Sequence, residues 1–139
     1  MKCLSVSQPF ADLIISGKKS IELRSWNTSF RGEFLIHAPI KIRTNDCKRL
    51  KIDRKLITGA IVGKAFLYDI KKYNSSSEIE KDKKYGFILK NAKSFRIPIP
   101  LKGQLGFFEV KLPKTVVKNT DIVSDIIDEE FRYQWIGHH

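Results

Sequence analysis

Apolar residues in this chain fall mostly into short alternating or continuous runs separated by polar turns, a pattern that predicts strands more than helices. Leu4-Ser5-Val6-Ser7 alternates and predicts a short first strand. Pro9 then sits at the favoured first position of a helix, with Phe10, Leu13 and Ile14 as its apolar stripe. Gly17 falls where a left-handed residue ends a helix. Ile21 and Leu23 alternate with Glu22 and Arg24, predicting a strand that buries its aliphatics and turns the charged pair away from the core.

After a turn at Asn27-Thr28-Ser29, residues Gly32 to Ala38 predict a strand through Phe34, Leu35 and Ile36. Residues 40–57 are basic and predict one short helix, with Asn45-Asp46 as a cap. Gly59 to Tyr68 predicts a strand, and 71–84 a polar loop or frayed helical turn. Tyr85 to Leu89 and Phe95 to Ile97 read as two strands around Asn91-Ala92, with Pro98 and Pro100 breaking the ladder. The last strand starts in 103–110. The pattern then becomes helical from Asp121 to Trp135, with Ile122, Ile126 and Phe131 in its stripe and acids opposite. The sum is an α+β fold, mostly β: a small closed or nearly closed barrel, a flanking N-terminal helix and an added acidic C-terminal helix. One domain spans 1–112. Residues 113–139 form an extension packed on it, and the closing Gly137-His138-His139 resembles a purification-tag remnant.

Charge changes this picture. The chain of 139 residues has 26 Lys and Arg against 15 Asp and Glu, a formal net charge of +11. Residues 121–139 hold five of those acids and one base, which leaves 25 bases and 10 acids, a net +15, for residues 1–120. Such an excess implies a polyanionic partner, with nucleic acid ahead of an anionic membrane. Charge alone leaves RNA and DNA both open as that partner, for a chain taken by default as a monomer. No apolar run reaches bilayer-spanning length, no leader is read, and two cysteines, Cys3 and Cys47, make no disulfide framework. A reducing cytoplasm is the expected compartment. No cofactor motif or metal-ligand spacing is present.

The densest chemistry lies in Gly17-Lys18-Lys19-Ser20-Ile21-Glu22-Leu23-Arg24-Ser25-Trp26. As a binding site, Glu22 accepts from an exocyclic amine or ring N–H while Arg24 and Lys19 hold a phosphate or carbonyl oxygen. As a catalytic site, Lys19 and Glu22 would move protons, although a carboxylate beside a lysine favours its ammonium form. A structural ion-pair cluster is the plain alternative.

Leu4-Ser5-Val6-Ser7-Gln8-Pro9-Phe10-Ala11, the G-x-K-x-x-E-x-R pattern at Gly17, Lys19, Glu22 and Arg24, Ser25-Trp26 and Arg31-Gly32 together resemble the ASCH domain family (activating signal cointegrator homology). Tyr85-Gly86-Phe87-Ile88-Leu89 and Pro98-Ile99-Pro100-Leu101-Lys102-Gly103 resemble that family's closing strands. The resemblance covers roughly 2–112 and implies a PUA-like β-barrel with a cleft lined by the motif. It also implies RNA or other nucleic-acid transactions, with some small members acting as hydrolases. The chain departs from the pattern at Phe10 and Phe107-Phe108, where tryptophan is common. Glu22 stands near the threonine nucleophile of the branch that deacylates cytidine, and a carboxylate cannot do that nucleophile's work.

The expected nucleic-acid contacts are therefore Ser7, Gln8, Lys19, Glu22, Arg24, Trp26, Arg31, Lys41, Arg43, Lys48 and Arg49. Ser7 and Gln8 flank the helix N-terminus, where an anion can sit or a side chain can cap. Trp26 can stack a base or cover the core. The 41–55 segment presents bases on several faces and suits phosphate-backbone contact. His37 reads as a satisfied structural histidine, and Cys47 lies among bases without a histidine beside it in sequence. The alternative function is a hydrolase, a metal-independent ribonuclease or nucleoside amidohydrolase, using Lys19 and Glu22.

Overall fold

The computed structural model describes residues 1–73 and 84–112. The central part of the predicted 71–84 loop and the acidic C-terminal helix lie outside them. The elements run β1 (Lys2–Ser5), α1 (Phe10–Ile15), β2 (Ile21–Arg24), β3 (Gly32–Ala38), α2 (Thr44–Arg49), β4 (Ala60–Lys72), β5 (Tyr85–Pro100) and β6 (Phe107–Glu109). They form one mostly antiparallel six-stranded sheet in the order β2-β5-β4-β3-β1-β6. Its one parallel pair is β1 with β3. Parallel neighbours need a long crossover, and that crossover carries α1 and β2.

Both faces of the central strands are buried, which is why Phe34, Leu35 and Ile36 are apolar in succession. One face packs Leu4, Phe34, Ile36, Leu67 and Phe87 against Ala11 and Ile14 of α1. The other gathers Cys3, Leu35, Ile61, Phe95 and Phe108. The sheet is open: β2 and β6 are its edges, and they are not hydrogen-bonded to each other. Aromatic rings bridge the gap. Trp26, just beyond β2, meets Phe87 of β5 and Phe107 of β6 edge-on, with centroids 5.2 and 5.8 Å apart. Phe107 also meets Phe34 at 5.4 Å. Each such pair contributes about 0.5–1.5 kcal/mol beyond area burial.

Several expectations are corrected. Tyr85–Pro100 is one strand rather than two. Asn91 takes a left-handed φ of 53° inside it, and register shifts along β4–β5 absorb the irregularity. Pro98 and Pro100 are tolerated because β2 pairs only with 85–88, so the later part of β5 has its ladder on one side. The Gly59–Tyr68 strand extends to Lys72, and the first strand lies at 2–5 rather than 4–7. Pro9 is the N-cap of α1 rather than its first residue.

The largest correction concerns β2. The alternation is as expected, but its sense is reversed: Glu22 is 8 % exposed and Ile21 is 37 % exposed. The carboxylate faces inward because cations from both sides meet it there.

Candidate functional site

Glu22 is clamped. Lys19 Nζ lies 3.2 Å from its Oε1, and Arg24 Nε donates to its Oε2 at 3.1 Å. Arg24 Nη2 lies 2.9 Å from the same Oε2 and donates to the Ser5 carbonyl at 2.8 Å. Arg24 thus ties β2 to β1 across a gap that no backbone ladder spans. Two guanidinium nitrogens converge on one carboxylate oxygen, and the planar donor set is more directional than a point charge. These contacts use Nε and Nη2 and leave Nη1 as the part of the guanidinium engaged by neither Glu22 nor Ser5.

Local structure explains why Lys19 arrives there. Gly17 adopts φ +81°, and its N–H reaches the Ile14 carbonyl at 2.9 Å while Lys18 N reaches the Leu13 carbonyl at 2.9 Å. These are the paired bonds of a glycine-terminated helix. Lys19 N also reaches Leu13 O, and Leu89 N holds Ser20 O, so the turn is pinned on both sides. Lys19 Nζ donates to the Ile21 carbonyl and sits 5.7 Å above the Phe10 ring. The Lys19 and Arg24 side chains keep 24 % and 21 % of their surface exposed, so the cluster is partly open to solvent.

Ser5 carries a second role that alternation hinted at, since it lies opposite Leu4 and Val6. Its hydroxyl is 2.9 Å from His37 Nδ1, and His37 Nε2 is 2.6 Å from the Leu101 carbonyl. A carbonyl only accepts, so Nε2 carries the hydrogen. A Cβ at Gly103 would fall 2.4 Å from Ser5 Oγ and 2.6 Å from the His37 ring, so backbone lies directly over the pair. His37 is buried with both nitrogens engaged, a structural histidine.

Gln8 is buried, and its side chain is used internally. Nε2 donates to the Ile57 carbonyl at 2.9 Å, and Oε1 accepts from Asp12 N at 2.9 Å, capping α1. Of the two residues flanking the helix start, Gln8 supplies the side-chain cap; Ser7 contributes its carbonyl, which accepts from Phe10 N and Ala11 N. The Gln8 carbonyl in turn accepts from Arg43 N at 2.8 Å, which attaches the basic segment to the helix entrance.

That segment is exposed. α2 has no buried residue. Asp46 lies 3.5 Å from Arg43 and 3.0 Å from Arg49, and Arg54 pairs with Asp12. Lys41 and Lys48 are also exposed. Arg31 is exposed as well, and its Nη1 donates to the Thr28 and Phe30 carbonyls. Trp26 packs into the aromatic bridge and is only partly exposed. The structure thus brings Lys19, Glu22 and Arg24 together and gives Gln8 and Trp26 packing roles. It sets Lys41, Arg43, Lys48 and Arg49 on a separate exposed arm. Among the described residues, no cluster of His, Cys, Asp and Glu is built to hold a metal, and no helix is long and apolar enough to cross a membrane.

The ASCH domain family matches the chain over residues 4–135. The human protein Activating signal cointegrator 1 is 30 % identical over 120 residues, covering 73 % of this chain and 21 % of its own length. Its mouse counterpart is 29 % identical over the same span. The chain corresponds to about a fifth of the length of these curated relatives. Among solved structures, ASCH from Zymomonas mobilis aligns with a TM-score of 0.57 and 19 % identity, covering 86 % of this chain and 95 % of that one. A point variant of that protein aligns at 0.59 and 18 %. The fold is shared, the motif residues converge, and the family match spans nearly the whole chain: it belongs to the ASCH domain family.

Proposed function

We propose that this chain is a nucleic-acid-binding module, with RNA as its partner ahead of DNA. A nucleotide is held at the Glu22 cluster, and the 41–55 arm grips flanking phosphates. The observation that carries the reading is the convergence of Lys19 and Arg24 on Glu22 at hydrogen-bonding distance, with both cations partly open to solvent. A carboxylate fixed between two cations offers acceptor and donor groups side by side, which suits the edge of a base and its phosphate. The exposed bases of the arm supply the sequence-independent share of affinity.

Binding is favoured over hydrolysis by the same geometry. Accepting a hydrogen bond from a base leaves Glu22 charged and paired, whereas taking up a proton would discharge the group that both Lys19 and Arg24 pair with. The test is fluorescence anisotropy with a single-stranded RNA oligonucleotide, alongside an RNA-cleavage and acylcytidine-hydrolysis assay. Wild type is expected to bind, Arg24→Lys to bind at least about tenfold more weakly as the planar multi-donor group is lost, and neither to turn over substrate. Equal affinity in Arg24→Lys would remove the cluster from the interface. Turnover abolished by Lys19→Ala would replace binding with hydrolysis.

A further inference from the structure

The outer face of the β4–β5 ribbon presents rings to solvent in a way that core packing does not explain. Leu67 and Ile70 of β4, with Phe87 and Leu89 of β5, point into the main core. The intervening residues point outward. Tyr68 and Tyr73 are 49 % and 37 % exposed there, and Phe66 is half-buried beside them. Lys90 lies opposite Phe66 in register, with Nζ 5.3 Å from the Phe66 ring and 5.0 Å from the Tyr68 ring. A cation over two ring faces holds them as a pair. Tyr73 is seated directly on backbone: a Cβ at Gly86 would fall 2.3 Å from its Cε2. Glycine at 86 therefore makes room for the ring to lie against the sheet.

Charge on this face favours an anion. Lys71, paired with Gly86, is exposed beside the rings together with Lys90. Of the acids on the same stretch, Asp69 accepts from the Ile70 N–H and Glu33 is paired with Lys64 at 3.2 Å. Exposed aromatic faces interleaved with lysines on a β-sheet form a stacking surface for bases with cations for the phosphates between them.

We infer that this face is a second contact for single-stranded nucleic acid, with Tyr68 and Tyr73 as stacking platforms and Lys90 and Lys71 as phosphate contacts. The inference rests on the nucleic-acid reading above but not on the Glu22 cluster. Five residues of extended strand separate the two tyrosines by about 16 Å, so one nucleotide cannot cover both. The face adds affinity for an oligonucleotide and none for a mononucleotide.

The experiment uses the full chain, a fluorescent 15-nucleotide oligouridylate and uridine monophosphate as a competitor. Tyr68→Ala and Tyr73→Ala should each weaken oligonucleotide binding at least about fivefold and leave the monophosphate constant unchanged. Tyr68→Phe should stay within about twofold of wild type, since the ring is kept. If both alanine variants bind the oligonucleotide within twofold of wild type, the platform is overturned and the Glu22 cluster stands. If they lose binding while Arg24→Lys does not, the platform stands and the cluster reading falls. A wild-type chain that binds no oligonucleotide overturns both.

Discussion

Two charged regions lie close in sequence and are held in opposite ways. Around Glu22, each charge is fixed by backbone: Arg24 reaches the Ser5 carbonyl of β1, and Lys19 follows a pinned helix end. In the 41–55 arm, α2 buries nothing, and Arg43 and Arg49 share the Asp46 carboxylate at the surface. The first arrangement fixes direction, which recognition of one chemical group requires. The second fixes only a field, which suits contact with a repeating phosphate backbone. Being charged therefore says little about role; what holds the charge says more.

The widest expected contrast is between the two cysteines, Cys3 in the sheet that anchors the cluster and Cys47 in the arm. Burial pushes the Cys3 thiol up to about 12, against an ordinary value of 9.0. Cys47 sits on partly exposed α2. In native protein, a thiol reagent should label Cys47 at least about a hundredfold faster than Cys3, because the thiolate is the reactive form. Mass spectrometry after timed quenching reads the ratio. Comparable rates would mean that β1 is not sealed between its neighbours. The sign for stability follows from the same shift. The folded thiol stays protonated where the unfolded one ionises near 9.0, so this contribution is complete below that pH and is lost as pH climbs toward 12.

Stability should separate the regions next. Arg24→Ala leaves Glu22 without its guanidinium partner and Ser5 without its donor, and should cost about 2–4 kcal/mol in urea unfolding. Removing Arg43, Lys48 and Arg49 together should change stability by less than about 1 kcal/mol, since exposed ion pairs contribute little. A large loss in the triple variant would make the arm a structural element. A negligible loss in Arg24→Ala would mean the sheet closes without it.

Much of this organisation was legible. β3 could be read at its observed bounds because a continuous apolar run flanked by Gly32 and Pro39 marks a strand buried on both faces. Gly17 could be placed because only a helix end needs its conformation there. The inward sense of β2 was not legible. Period two tells which residues share a face, and four residues at a sheet edge do not tell which face is inside. Glu22 is inside because Lys19 and Arg24 meet it, a fact of the third dimension. Asn91, Pro98 and Pro100 look like breaks locally, and the long partner β4 overrides them through register shifts. Gln8 was read as a ligand residue because an amide beside a helix start suits an anion. Its cap to Asp12 and its bond to the Ile57 carbonyl, 49 residues away, depend on tertiary contact. The Lys90 contact with Phe66 and Tyr68 was hidden for the same reason, since its register depends on a strand that was read as ending at Leu89, before the break at Asn91-Ala92.

The most direct test of the division between a recognising cluster and a phosphate-gripping arm is the salt dependence of RNA affinity. In wild type, log affinity should fall linearly with log salt, by about 0.7 per phosphate contact on a single strand. Replacing Arg43, Lys48 and Arg49 with alanine should make that slope shallower by about 2, whereas Lys19→Gln should shift the line by at most one such contact. A salt-independent wild type, or a triple variant with an unchanged slope, would contradict the account.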